Sequence, residues 1–314
     1  MTKSSENDRL IDFNEMASGS FVFSWTVAAT GYQWADATSP FHDKKESSRW
    51  LIDPTPAGVQ GEWRRYAPLR HRGLHRRFAK LAPTEEAILG FANKYGLLDG
   101  GELPLKVTGS SGVFGGEQLD LWVEEIKHMA LLVRLWDLQK RNASDLAQYV
   151  WWQEDGTVRI PVACYWDERV GRWAVMTLDR DAEDPYRKIL SIDGPIEVMS
   201  PVISAPFLHP RLARLWGKSD ARGPLAYFVS LKVNERMRGH VSPAVIPLRD
   251  GDIRMVPDSL RAALWLHLAF ETSGRQRKSL ECLGCGEYFP PTHGRQKYHD
   301  EACRKRSWRP SKGG

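Results

Sequence analysis

The sequence predicts an α+β fold, with a body of mixed helices and antiparallel strands over residues 21–274 and a small finger over residues 275–314. Three observations predict it. A helical stripe of apolar residues runs through Glu117 to Lys140, alternating apolar segments bounded by turn residues follow Thr157, and three of the four cysteines fall within one 22-residue window near the C-terminal end.

The elements follow in chain order. Residues 1–20 are polar and read as a loose tail, and Phe21 to Ala29, rich in aromatic and β-branched side chains, reads as a strand. Pro40, Pro54 and Pro56 make Thr38 to Glu62 read as loop. The basic stretch Leu69 to Leu81 is compatible with a helix despite Gly73. Thr84 is the expected N-cap of a helix that carries Glu85 and Glu86 in its first turn and ends at Gly96, with Leu89, Phe91 and Ala92 on its buried face. Gly109 to Gly116 reads as a linker into the helix Glu117 to Lys140. There Trp122, Ile126, Met129, Val133 and Trp136 recur at alternating intervals of four and three, which places them on one stripe.

Ser144 is the expected cap of a short helix ending near Trp151. Strands are expected over Thr157 to Trp166, Trp173 to Leu178 with a turn at Gly171, and Lys188 to Ile192. Pro201 to Gly223 reads as irregular chain before a helix from Leu225 to Met237. Val245 to Leu248 and Ile253 to Val256 flank Arg249-Asp250-Gly251-Asp252, a hairpin signal. Pro257 and Asp258 then open the helix Leu260 to Phe270, and Gly274 begins a charged linker.

Composition narrows the class. No apolar run approaches the ~18 residues of a membrane span, and Met1 to Glu15 lack the apolar segment of a secretory signal, so a cytosolic protein is expected. The net charge is +5, but residues 275–314 hold ten Lys/Arg against four Asp/Glu, which leaves the first 274 residues at −1. Basic character therefore belongs to the tail. A second candidate anion surface is the acid-free stretch holding Arg64, Arg65, Arg70, Arg72, Arg76, Arg77 and Lys80.

The finger reads Cys282-Leu-Gly-Cys285, then thirteen residues, then His299-Asp-Glu-Ala-Cys303. Two residues between cysteines is the spacing of a metal knuckle, whose turn Gly284 and Gly286 relax. His299 and Cys303 are i and i+4, so both can face one ion; His293 is the alternative fourth ligand. Asp300 is the expected N-cap of the helix that carries this pair. Three thiolates and one imidazole fill a tetrahedron, which implies one structural zinc ion with no position left for a catalytic water. A knuckle followed by a helix that delivers the remaining ligands is a treble-clef-like arrangement.

The segment Cys282 to Arg309 resembles the C-terminal zinc finger of CGNR-type bacterial proteins, in which an aromatic residue follows the knuckle and Tyr-Cys or Phe-Cys precedes the last ligand. Phe289, Tyr298, Cys303 and Arg306 match that pattern. His299 stands where the family carries cysteine, and Arg304 and Lys305 replace its Gly-Asn. Phe78 to Leu98 is also similar to an element of bacterial proteins that carry such a finger. The resemblance implies a bacterial transcription regulator.

Other constellations read as structural. His71 and His75 are one helical turn apart, but Arg72 stands where a metalloprotease has its glutamate, so both are expected at the surface. Glu124 and His128 are expected to form a surface pair. No Gly-Lys-Ser/Thr follows the glycine-rich stretch, Asp250 and Asp252 are explained by a hairpin turn, and Cys164 is expected to be packed. No catalytic residue is assigned. Arg295, Lys297, Arg304, Lys305, Arg306 and Arg309 surround the metal helix with Tyr298 and Trp308 among them, a pattern suited to DNA or RNA phosphates. The expected function is nucleic-acid binding by the finger, with the body sensing a ligand or partner. A protein-binding adaptor whose finger is purely structural is the alternative, and an enzyme with a site in the body the second alternative.

Overall fold

The computed structural model describes residues 23–41, 47–139, 143–155, 157–178, 194–199, 202–203, 220–245, 253–274, 280–285, 288–289 and 295–307, with the single residues 192, 291 and 293. The N-terminal tail, most of the Lys188 to Ile192 segment, the Arg249 to Asp252 turn and the linker after Gly274 lie outside them. Helices and antiparallel sheets are mixed along the chain, so the α+β expectation holds.

Of the described strands in the first part of the body, the sequence announced the first, inside the expected Phe21 to Ala29 strand, and not the others. β1 (Trp25–Ala28) pairs antiparallel with β4 (Trp63–Tyr66). Between them lie β2 (Gln33–Thr38) and β3 (Ser48–Ile52), which join β5 (Glu102–Val107) and β6 (Val113–Gln118) in a closed four-stranded barrel of order β2-β3-β6-β5. Thr38 to Glu62 is thus not all loop. In β3, Trp50 and Ile52 fill the barrel with Ala37, Leu105 and Phe114, while Leu51 joins the main core on the other side. A strand buried on both faces shows no polar alternation, which hid it.

The second half of the glycine-rich stretch, from Val113, is likewise part of the sheet rather than a linker. A Cβ on Gly116 would lie 2.5 Å from the Leu51 carbonyl oxygen, so glycine is what lets β6 close against β3. The helix that follows, α3 (Leu119–Leu138), therefore starts two residues later than expected. Before it come α1 (Leu74–Phe78) and α2 (Glu85–Tyr95). Gly73, with φ +71°, breaks the expected Leu69 to Leu81 helix into a 3-10 turn at Pro68–Arg70 and the short α1. In α2 the Thr84 hydroxyl accepts from the Ala87 amide at 3.4 Å, and Gly96 with φ +92° ends the helix, as expected.

Helix α3 is the centre of the core. Trp122, Ile126, Met129 and Val133 are buried and Trp136 is partly so, and Leu131, Leu132 and Leu135 are buried besides. The stripe is wider than the spacing alone indicates because the helix is covered by α1, by α5 (Arg222–Met237), by α6 (Leu260–Thr272) and by a three-stranded sheet. That sheet has β9 (Val162–Asp167) between β10 (Arg172–Thr177) and β11 (Ile196–Met199). Its third strand is Ile196–Met199, beyond the Lys188 to Ile192 segment. A smaller three-stranded sheet has β8 (Val158–Arg159) between β7 (Trp151–Trp152) and β12 (Val202–Ile203).

Helix α5 begins at Arg222 rather than Leu225, while α6 begins at Leu260 as expected. A short helix α4 (Ala143–Leu146) begins before Ser144, and α6 is capped by Ser259, whose hydroxyl accepts from the Ala262 amide at 3.1 Å. The hairpin pairs β13 (Val241–Val245) with β14 (Ile253–Pro257), opposing Val245 to Ile253. The finger consists of β15 (Leu280–Glu281) paired with β16 (Tyr288–Phe289), and α7 (Glu301–Ser307). Its own small core holds Cys282, Phe289 and Cys303, with Leu280 and Tyr298 against them.

Candidate metal centre

Cys282, Cys285, His299 and Cys303 converge, with one ligand atom from each lying within 4.8 Å of all the others, so the group could hold a metal ion. Local structure explains how. After β15 the chain turns through Leu283 and Gly284, and the Gly284 amide points at the Cys282 sulfur at 3.4 Å. A Cβ on Gly284 would lie 2.6 Å from the Cys303 carbonyl oxygen, so this residue must be small for the knuckle to meet α7. Asp300 caps α7 as expected, its Oδ1 accepting from the Cys303 amide at 2.7 Å, which fixes Cys303 facing the knuckle.

The geometry suits tetrahedral ligation. Cys285 Sγ lies 3.4 Å from His299 Nδ1, close to the ~3.5 Å edge between sulfur and nitrogen ligands about a zinc-sized ion. Nε2 is farther from Cys303 Sγ, at 4.0 Å, and sits 2.7 Å from Asp300 Oδ2. Nδ1 is therefore the atom placed to ligate, with Nε2–H donating to Asp300. A carboxylate behind the ligating imidazole holds its tautomer and raises its basicity. The thiols also differ electrostatically. Burial opposes ionisation of Cys282, but His299 and the Gly284 and Cys285 amides outweigh it and bring the thiol down to about 6. Cys303 is pushed up to about 12 by burial and by its neighbouring cysteines. A dication removes that conflict, because it neutralises thiolates that otherwise repel one another.

His293 is exposed and lies outside the cluster. Of the expected nucleic-acid residues, Arg295, Lys297, Arg304 and Lys305 are exposed around the finger. Arg304 is drawn into a two-bond pair with Glu301, at 2.7 and 2.6 Å. The Arg306 side chain and Arg309 lie outside the described residues.

The finger rests on the body against the second basic stretch. A Cβ on Gly73 would lie 2.4 Å from the Tyr288 ring, and Lys80 reaches across to pair with Glu281 while its ammonium sits 5.4 Å from the Tyr288 centroid. Not all of that stretch is surface. Arg76 is buried, bonded to Glu271 and, through both terminal nitrogens, to Asp137 at 2.9 Å. His75, expected at the surface, is 1% exposed, with Nε2 3.0 Å from Glu271 and its ring stacked on His267. Burial of the ring holds its pKa below the ordinary histidine value. Burial opposes ionisation of Glu271 too, but Arg76 and His75 outweigh it and hold its carboxyl well below the usual range. The sequence conceals this network because Glu271 lies some 195 positions away, on α6.

A second convergence joins Glu124 and His128 of α3 with Glu197 of β11, which makes the expected Glu124–His128 surface pair a three-residue cluster. Lys127 already bonds Glu124 at 2.6 Å and lies 3.7 Å from Glu197, and Arg236 meets His128 Nδ1 at 2.7 Å. Each member of the group thus already has a protein cation as a partner. Cys164 is fully buried, and burial pushes its thiol up to about 12, in keeping with a packed residue. Among the described residues no helix is long and apolar enough to cross a membrane. The chain matches no known protein family, no curated protein and no solved structure.

Proposed function

We propose that the protein is a nucleic-acid-binding regulator of the reducing cytoplasm, whose C-terminal finger is held by one structural zinc ion on Cys282, Cys285, His299 and Cys303. The observation that carries this reading is a set of exposed cations fixed on the finger. Arg295, Lys297 and Lys305 form no ion pair among the described residues, while the convergent ligands hold the scaffold beneath them. Cations presented on a rigid scaffold meet phosphates without the ordering cost that a free tail incurs. Zinc is favoured over harder divalent ions because three of the four ligands are thiolates.

The test is the salt dependence of binding. Replacing Arg295, Lys297 and Lys305 with alanine should weaken binding to duplex DNA or structured RNA and reduce the slope of log affinity against log salt by about 0.9 for each duplex phosphate no longer neutralised. Metal content should not change. An unaltered affinity and slope would remove the finger as the nucleic-acid element. The second reading, an adaptor with a purely structural finger, is favoured by the seating of Tyr288 on Gly73 and the Lys80–Glu281 pair. It forecasts no salt-dependent nucleic-acid binding and a protein partner instead.

A further inference from the structure

Where the finger meets the body there is a cleft of about 220 Å³ lined by Arg70, His71, Arg72 and Arg77 from the basic stretch, Leu74 and Tyr95 beneath, and Tyr288 and Phe289 from the finger. Among the described residues no acidic side chain lines it. Three described acids nearby are engaged elsewhere, Glu271 and Asp137 with the buried Arg76 and Glu281 with Lys80. Arg70 and Arg72, both exposed, have no acidic partner among the described residues. The wall between them is fixed, since the His71 ring lies edge-on to Tyr66 and Tyr95, with centroids 5.4 and 6.0 Å away, and the Tyr66 hydroxyl donates to the Tyr95 carbonyl at 2.7 Å.

Two exposed guanidiniums lining one cleft, with no carboxylate among its described lining, leave two positive charges and a fork of planar donors in a half-enclosed space. A multiply charged, multidentate anion matches them better than a single carboxylate does. The volume is below the ~300 Å³ of the smallest drug-sized sites, so it suits a charged group rather than a whole large ligand. We propose that this cleft is a binding site for a phosphate group, held by Arg70 and Arg72 on either side of His71 and closed on the finger side by Tyr288. It does not depend on the finger's own cations touching nucleic acid. The phosphate belongs either to a small phosphorylated molecule or to the end of a nucleic-acid strand, and the experiment separates the two.

The experiment is calorimetric titration of the metal-loaded full-length protein with inorganic phosphate at constant ionic strength. Adenosine monophosphate and a short oligonucleotide, with and without a 5′ phosphate, follow as competitors. Phosphate should bind, and Arg70→Ala/Arg72→Ala should weaken it at least about tenfold, the loss expected when charge-assisted bonds are removed. Unfolding temperature should not move, because both side chains are exposed. Arg64→Ala/Arg65→Ala removes the same charge from β4 outside the cleft and should leave affinity within about twofold. Competition by the monophosphate alone assigns a small-molecule source, and competition by the 5′-phosphorylated oligonucleotide but not its unphosphorylated twin assigns a strand end. No phosphate binding, equal affinity in the Arg70/Arg72 variant, or equal loss in the Arg64/Arg65 control overturns the site. Phosphate binding that survives in the Arg295/Lys297/Lys305 variant, with nucleic-acid binding abolished, shows that the two proposals stand or fall separately.

Discussion

At the scale of single residues, the ligand cluster and the buried His75–Glu271–Arg76 network make the sharpest forecasts. Cys282→Ser, Cys285→Ser and Cys303→Ser should each lose the proposed zinc ion together with the finger fold, since ligation and folding are coupled, whereas His293→Ala should keep about one ion per chain. Metal analysis of the purified variants decides it, and normal zinc in Cys285→Ser would refute the assignment. Glu271→Ala leaves Arg76 and His75 buried without their carboxylate and should cost about 3–5 kcal/mol in denaturant unfolding. Acid sensitivity follows from the same network. Both His75 and Glu271 have folded-state values below their unfolded ones, so the unfolded chain binds more protons as pH falls. Stability should therefore decline first below about pH 6.5, the ordinary histidine range, and again below about pH 4. His75→Gln should flatten the decline in unfolding temperature between pH 7 and 5; an unchanged profile would place that proton elsewhere.

At the scale of elements, two glycines of α2 and β6 separate propensity from packing. Gly90 lies inside the helix Glu85–Tyr95 with nothing within 4 Å of a Cβ added there, so Gly90→Ala should stabilise by about 0.5–1 kcal/mol through helix propensity alone. Gly116 sits where a Cβ would meet the Leu51 carbonyl oxygen at 2.5 Å and the Ile52 side chain at 2.9 Å, so Gly116→Ala should force β6 from β3 and cost about 1–3 kcal/mol. Urea unfolding of both variants checks the pair, and a destabilised Gly90→Ala or a neutral Gly116→Ala would contradict these placements. The same contrast explains which elements can be read in advance. Helix α2 carries its own signals in Thr84, Glu85, Glu86 and Gly96, all within thirteen residues. The strand Ser48–Ile52 carries none, because its identity comes from its two neighbours in the barrel, β2 and β6, and from the core behind it.

At the scale of the whole molecule, the main core runs from Trp25 to Leu268 without a finger residue, and the finger has a separate core around Cys282, Phe289 and Cys303. Truncation at Gly274 should therefore leave a body that unfolds cooperatively, at a lower temperature because the Gly73 and Lys80 surfaces lose their cover. A molten product would mean that the finger completes the fold. The sequence alone determined the mixed fold class, the central helix and its stripe, the capped helix after Thr84, and the four residues that converge as a metal group. Each of those is written in short-range spacing, where a turn or a helical repeat of a few residues dictates which side chains share a face. Only the tertiary structure decided that Thr38 to Glu62 contributes to a barrel, that His75 and Arg76 are interior rather than surface, and that the finger rests beside Arg70 and Arg72. Those outcomes depend on partners far apart in the chain, such as Glu271 for Arg76 and Tyr288 for Gly73. Burial and charge pairing are properties of neighbours in space, which local spacing does not encode.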